Sequence, residues 1–523
     1  MKTRFLLCFL LCSFFAQAQT IEVSGVQTGT WVADTVLVTG DVLVQDSLSI
    51  APGTTVLFKG FYSLTAEKGA SLKAMGTETD SITFTVMDTT GFHIFNSGRG
   101  GWNGIQIDQA GTVQLDYCRL QYGKAALDAD QDGGALCIYN SNDVKISNST
   151  LFCNFSREHG GALNAEHSTV VVHNCAVSHN LAYTEIDTVY FMYGGAFRFI
   201  NCAVSLTDVD FLHNLASHSI GGALSLDSCA VSIDRCRFEH NVGINGGGLY
   251  LIRSNDWPCS ITNSLFANNR SEHFGGGLAI SDASPELSNL TVVDNHSYGV
   301  MCGGIFFYQH SSPLVRNCIV WGNTNGGPVD LPVQIWSWTY DDYAPRFHNC
   351  LVQYGFKNIT NNEIISVYED CLDEDPLFVD NDNEDYHLSI SSGCINSGYT
   401  RLPDLSTLDL DLSPRVKGGI VDMGAYEFSG TDIPEQHQQT HFVHLVGNPI
   451  TAASYADIEM ERTGLLRIDL YSIEGRQLYH SQRHVQAGSH REELGSLFQS
   501  LPQGSYLLVF SMDGNTLMEK VIK

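Results

Sequence analysis

The 523-residue chain carries 57 acidic and 28 basic side chains, a formal charge of −29. That charge would repel a phosphate backbone, which excludes nucleic acid as a partner, and it suits a solvated extracellular surface or divalent cations. Apart from Cys8 and Cys12, thirteen cysteines are scattered without CxxC pairs, against a zinc ribbon or a dense disulfide framework.

Residues 1–18 place Lys2 and Arg4 before an apolar run from Phe5 to Phe15, followed by Ala16-Gln17-Ala18. This is the pattern of a secretory signal peptide cleaved after Ala18. No later stretch approaches the roughly 18 to 20 apolar residues of a membrane helix, so no transmembrane segment is expected.

From residue 19 to 127, stretches such as DVLVQDSLSI and SITFTV alternate apolar and polar residues, the period of half-buried strands. Then comes Asp128-Ala129-Asp130-Gln131-Asp132-Gly133, whose alternate carboxylates can converge on Ca²⁺. The twelfth position of that loop is Tyr139 where an EF-hand needs Glu, so a solvated acidic turn competes with a Ca²⁺ site at Asp128, Asp130 and Asp132.

Across 128–330 a Gly-Gly signal starts at Gly133, Gly160, Gly194, Gly221, Gly246, Gly275 and Gly303. An Asn column keeps step with it: Asn154, Asn180, Asn214, Asn241, Asn269, Asn295 and Asn323. Six residues before each lie Asn148, Asn174, Asp208, Arg235, Asn263, Asn289 and Asn317. Positions such as Ile233 and Phe238 are apolar in every copy while their neighbours vary. A period near 27 holds about three short strands and three turns, one rung of a right-handed parallel β-helix. Leucine-rich repeats, the main competitor, need an outer leg that is missing here, and left-handed β-helices prefer multiples of six. Stacked rungs turn the Asn column into a ladder of amides, in turns where Asn tolerates the left-handed backbone. Cys118, Cys175, Cys236, Cys318 and Cys350 share one position with Ser149 and Ser264, as small buried fillers; a disulfide stack or metal site is the alternative.

The opening stretch, from GTWVADTVLVTGDVLVQDSLSIAPGTTVLFKG to GWNGIQI, resembles the first rungs of secreted bacterial pectate-lyase-like β-helices. The GGAL…FxxN units resemble repeats of the polymorphic outer-membrane-protein type. Residues 331–428, with DEDPLFVDNDNEDYHLSISSGCINSG and DLDLSPRVKGGIVDMGAYEF, resemble the closing segment of Bacteroidetes surface β-helices, which implies last rungs plus a cover. A pairing of Cys371 with Cys394 is open there.

A polar linker, 429–441, follows. Residues 442–523 alternate strands with Gly turns, as in a small antiparallel β-sandwich. Asn448-Pro449, LYSIEGRQL, LPQGSYLL and the ending EKVIK resemble the C-terminal sorting domain of type IX secretion substrates. That resemblance implies a Bacteroidetes source, the type IX machinery as partner, and a mature chain secreted or attached to the outer face of the outer membrane.

Chemistry is less legible. Asp208 and Asp210 share a face with Arg235 and Arg237 one rung later, a candidate catalytic cluster that equally describes a surface ion pair. His179, His213 and His240 stack in successive rungs as outward polar residues or as a metal-binding column. Asp380, Asp382, Glu384 and Asp385 form a second acidic stretch. Trp321, together with Trp336, Trp338 and Tyr340 in VQIWSWTYDDY, can stack on sugar rings or simply pack a loop. The expected function is an exported scaffold that binds glycans or a host surface in the manner of an adhesin; the alternative is a lyase or hydrolase of acidic polysaccharide.

Overall fold

The structure is a computed structural model describing residues 19–523 except 128–131, 184–193, 328–332, 341, 361–364, 401–405, 418, 429–442, 447–449, 451–453, 461–463, 473–476, 500, 503 and 513–514. The signal-type segment, Asp128, Asp130, the linker and Asn448-Pro449 therefore lie outside the described residues. The chain divides into two compact units, Met1–Phe428 and Ser429–Lys523.

In the first unit each strand pairs in parallel with its equivalents one rung away. Leu224–Asp227 lies between Phe197–Ile200 and Leu249–Ile252 with side chains in register. Leu224 and Leu226 point inward and are fully buried, as are Ile233, Cys236 and Phe238 farther round the same rung. Stacking places identical residues on each other: the rings of Phe211, Phe238 and Phe266 are 4.8 and 4.6 Å apart and stacked with nearly parallel planes. Those distances match the ~4.8 Å between neighbouring strands, so the pairing that builds the coil also packs its core.

The rung has one strand more than its sequence predicts. After the Asn column, segments as short as Leu181–Tyr183 and Leu215–Ser217 pair into a separate eight-stranded parallel sheet, each burying one small side chain such as Ala182 or Ala216. Two or three residues are too few to display an alternation.

Two roles expected of one Asn column are divided between neighbours. Asn154 to Asn323 are buried, and each side-chain amide from Asn154 to Asn295 donates to the next in line, as from Asn214 to Asn241 (3.0 Å) and Asn241 to Asn269 (3.0 Å), while Asn323 donates to Gln334. Each Oδ1 also accepts the backbone N–H of the preceding rung's Asn, 2.9 Å for Asn214 to Asn241. The left-handed backbone belongs instead to the residue just before, including His179, His213 and His240 with φ near 55°, and to the column six earlier, Asn148 to Asn317. In the Gly-Gly turn, Gly194 has φ 74°, and a Cβ on Gly195 would stand 1.9 Å from the carbonyl oxygen of Gly222 in the next rung. Ile305 pairs with Leu278, so the last copy is one residue short and Gly303 takes the second-glycine place.

After the last rung strand, Val367–Glu369, the chain turns back along the outside of the coil. It forms a small hairpin, Phe378–Asp380 with Asp385–Leu388, and packs Tyr386, Leu410 and Tyr426 onto the outward side chains Leu265, Ala267 and Val293. The left-handed Asn column anchors this cover: Asn289 and Asn317 donate to the carbonyls of Asp422 and Tyr399, and Asn349, next in line, to that of Ser397. None of the thirteen described cysteines forms a disulfide. Cys371 donates to the Glu369 carbonyl, whereas Cys394 is buried beside Ile319 and Met423.

The second unit contains two antiparallel sheets. One orders Val443–Val446, Tyr455–Met460 and Gly488–Glu493; the other orders Gln477–Val485, Gly464–Ser472, Ser505–Met512 and Asn515–Ile522. Ile458, Ile468, Leu470, Phe498, Leu508 and Phe510 share one apolar core between them.

Candidate functional site

A column of outward residues runs down the second strands of seven successive rungs. Strand register stacks Val171, Ser205, Ser232, Ser260, Glu286, Leu314 and Arg346 on one another. Their strand neighbours Val204, Leu206, Val231 and Ile233 point into the core. Serine is small, so the middle of the column is recessed, and the groove over it has a volume of about 660 Å³. The turn Trp257-Pro258 lines its side, with the Trp257 ring 47% exposed. Arg316 holds the Glu286 carboxylate at 2.8 Å.

A second aromatic group lies outside the residues that line the groove, on strand Ile335–Thr339 and the turn after it. Trp338 and Tyr340 are 51% and 54% exposed. Trp338 meets Tyr308 edge-on at 5.9 Å, and the His310 ring, bonded to Asp282 at 2.6 Å, lies 4.9 Å from Tyr340 and 4.8 Å from Tyr343. From Tyr343 the chain continues directly into Arg346. A hydroxyl-bearing floor beside the open Trp257 ring is chemistry for a polyhydroxylated chain, whose hydroxyls exchange hydrogen bonds and whose C–H faces pack on rings.

Trp336 shares the outward face of strand Ile335–Thr339 with Trp338, whereas Trp321 faces elsewhere. Trp336 packs with Phe306, Tyr250 and Phe274 in a satellite apolar cluster, and Trp321 sits beside Ile319 and Leu388 under the cover segment. Trp257 escaped the sequence reading, although a lone tryptophan in the polar turn SNDWPCS is the kind of signal that marks it.

Asp208, Asp210, Arg235 and Arg237 are brought together, as stacked ion pairs. Arg235 bonds both carboxylate oxygens of Asp208 (2.8 and 3.1 Å), and contacts Asp234 and Ser406. Arg237 lies 3.9 Å from Asp210 and 3.0 Å from Asp411 of the cover. Burial raises the Asp210 carboxyl against the pull of Arg237. The imidazoles of His179, His213 and His240 stack at 5.2 and 4.9 Å, with Phe152 before His179 and Glu384 3.1 Å beyond His240. Burial lowers His179 to about 4, with the His213 charge adding to it. Asp380 caps the turn Asn381–Asn383, and Asp385 bonds His387, so the acidic stretch 380–385 is occupied in folding the cover.

Of the DxDxDG carboxylates only Asp132 is described. Its ligand oxygen lies within 4.8 Å of one from Glu158 and a ring nitrogen of His159 in the next rung. Burial raises Asp132 to about 6 and lowers His159 to about 3.

No helix among the described residues is long and apolar enough to cross a membrane. A comparison with curated proteins finds no match to this chain. Residues 221–371 match the family model described as a right-handed beta helix region, and with the rung-on-rung parallel pairing the fold is a right-handed parallel β-helix followed by a small antiparallel β domain.

Proposed function

We propose that this protein is an exported scaffold that binds a neutral glycan chain in the groove over Ser205, Ser232 and Ser260. The observation that carries this reading is the recessed serine column bordered by the half-exposed Trp257 ring. Hydroxyl groups at successive rungs offer repeated donors and acceptors to a polymer, and an indole face offers stacking. The groove's charged column residues, Glu286 and Arg346, are of opposite sign, and the chain is strongly acidic overall, which favours a neutral over an anionic glycan. The signal-type start and the resemblance of residues 442–523 to a sorting domain support delivery by type IX secretion to the cell surface or beyond, where an adhesin-like scaffold would meet such polymers.

The test is binding of residues 19–523 to immobilised neutral and acidic glycans, with reducing ends followed in parallel. Retention on a neutral glycan that Trp257→Ala weakens about fivefold supports the reading. Retention that Trp257→Ala leaves intact overturns this site, and release of reducing ends or unsaturated products from an acidic polysaccharide replaces the scaffold by the enzymatic reading.

A further inference from the structure

Asp132 and His159 occupy the same place in successive rungs, each directly before a Gly-Gly turn, with Glu158 beside the second. The two turns are tied by the Gly133 N–H donating to the His159 carbonyl at 2.8 Å. The strands that leave them, Leu136–Tyr139 and Leu163–Glu166, pair in register. Three side chains are thus aimed together by rigid backbone.

We propose that Asp132, Glu158 and His159 bind one divalent transition-metal ion, Zn²⁺ or Mn²⁺, in a bridge between the first two Gly-Gly rungs. One nitrogen and two oxygen donors within 4.8 Å of one another need at most ~0.7 Å of movement each to share an ion at ~2.1 Å. Asp132 Oδ1 is buried without a hydrogen-bond partner, an acceptor that a cation in the cluster would satisfy. Charge balance points the same way. Among the described residues whose charges act on Asp132, the carboxylates of Glu158 and Glu166 join its own against one guanidinium, Arg198, itself bound to Glu166 at 2.6 Å and to Asn164 at 2.8 Å. Three negative charges against one positive leave a deficit of two that a divalent ion cancels. Imidazole among the donors selects a transition metal over Ca²⁺, which prefers oxygen alone. Later copies place Tyr193, Ile220, Asn245, Phe274 and Cys302 directly before Gly-Gly, so no carboxylate or imidazole recurs at this place.

The experiment titrates metal-free residues 19–523 separately with Zn²⁺, Mn²⁺ and Ca²⁺ by calorimetry, and records the Co²⁺ ligand-field spectrum. The expected result is one equivalent of Zn²⁺ or Mn²⁺, a Co²⁺ band that reports nitrogen ligation, and at least tenfold weaker binding in His159→Gln and Glu158→Gln. Far-UV circular dichroism and melting confirm that each variant is folded, and Glu158, the outer of the ligands in its turn, supplies a second readout if His159→Gln does not fold. His213→Gln, in the separate imidazole stack, is expected to bind as the parent does. Absence of stoichiometric binding, loss of binding in His213→Gln, or Ca²⁺ bound in preference and lost in Asp130→Asn while His159→Gln retains it, each overturns the proposal.

Discussion

Arg237 donates to Asp411 at 3.0 Å across 174 residues of sequence, joining a mid-coil rung to the segment that returns along the outside of the helix. Both side chains are about one-third exposed, so the pair is worth about 1 kcal/mol. Arg237→Ala is expected to lower the melting temperature slightly and to speed proteolytic cleavage within 372–428, since the cover loses a tether while the rungs keep their pairing. Limited proteolysis followed by mass spectrometry reads this directly. Unchanged cleavage would mean that the apolar contacts of Tyr386, Leu410 and Tyr426 hold the cover unaided.

A second tether depends on pH. His387 lies between Asp385, 2.6 Å from Nδ1, and Asp411, which bonds Nε2. Burial opposes its charge, but the two carboxylates overcome that and raise it to about 9. A folded-state value above the ordinary ~6.5 means the stabilisation is complete below pH ~6.5 and is lost as pH rises through 9. Melting temperatures of the parent are expected to fall between pH 6.5 and 9.5, with a smaller fall in His387→Gln. Parallel curves for the two proteins would show that His387 does not carry the effect.

The amide ladder is expected to be the costliest polar element to break. Asn241 donates to the Phe211 carbonyl and to Asn269, and accepts two N–H groups from Asn214, all buried. Asn241→Ala removes four bonds and orphans groups that no water reaches, a loss of about 3 kcal/mol or more. Asn241→Asp keeps the shape and the acceptor but turns an oxygen toward the Phe211 carbonyl and Asn269 Oδ1, so it is expected to be no better than alanine. Urea midpoints for the three proteins decide the point; an aspartate variant as stable as the parent would show that amide donation contributes nothing.

These three cases also show what a sequence discloses of such a fold. Ile233, Cys236 and Phe238 were legible because each rung repeats the same inward position and errors average out over seven copies. Asn241 was legible as a ladder but not as a residue outside the left-handed region, because Asn serves both roles and only backbone geometry distinguishes it from His240 beside it. The cover's tethers were invisible: Arg237 and Asp411 follow no period, and nothing local to either predicts the other. The same holds for the groove. Its column reads Val, Ser, Ser, Ser, Glu, Leu, Arg, with no residue type common to all seven, and only strand register reveals that these side chains line one trough. Asp132 was singled out for its neighbours in DxDxDG, whereas the partners that the structure gives it, Glu158 and His159, lie a full rung away.

The groove itself makes a prediction that separates binding from folding. Ser232 is exposed and outward at the centre of the column, between Ser205 and Ser260. Replacing it with tryptophan adds volume to open space and leaves the buried neighbours Val231 and Ile233 in place, so stability is expected to change by less than about 0.5 kcal/mol. A chain lying along the trough would be blocked at its midpoint, and affinity for a neutral glycan is expected to drop at least tenfold. Trp257→Ala removes a stacking face at the rim and is expected to cost about 1 kcal/mol of binding, a fivefold change. Trp338→Ala, on strand Ile335–Thr339 outside the groove's lining residues, is expected to bind as the parent does. Equal affinities for Ser232→Trp and the parent, with both proteins folded, would remove the trough as the binding site.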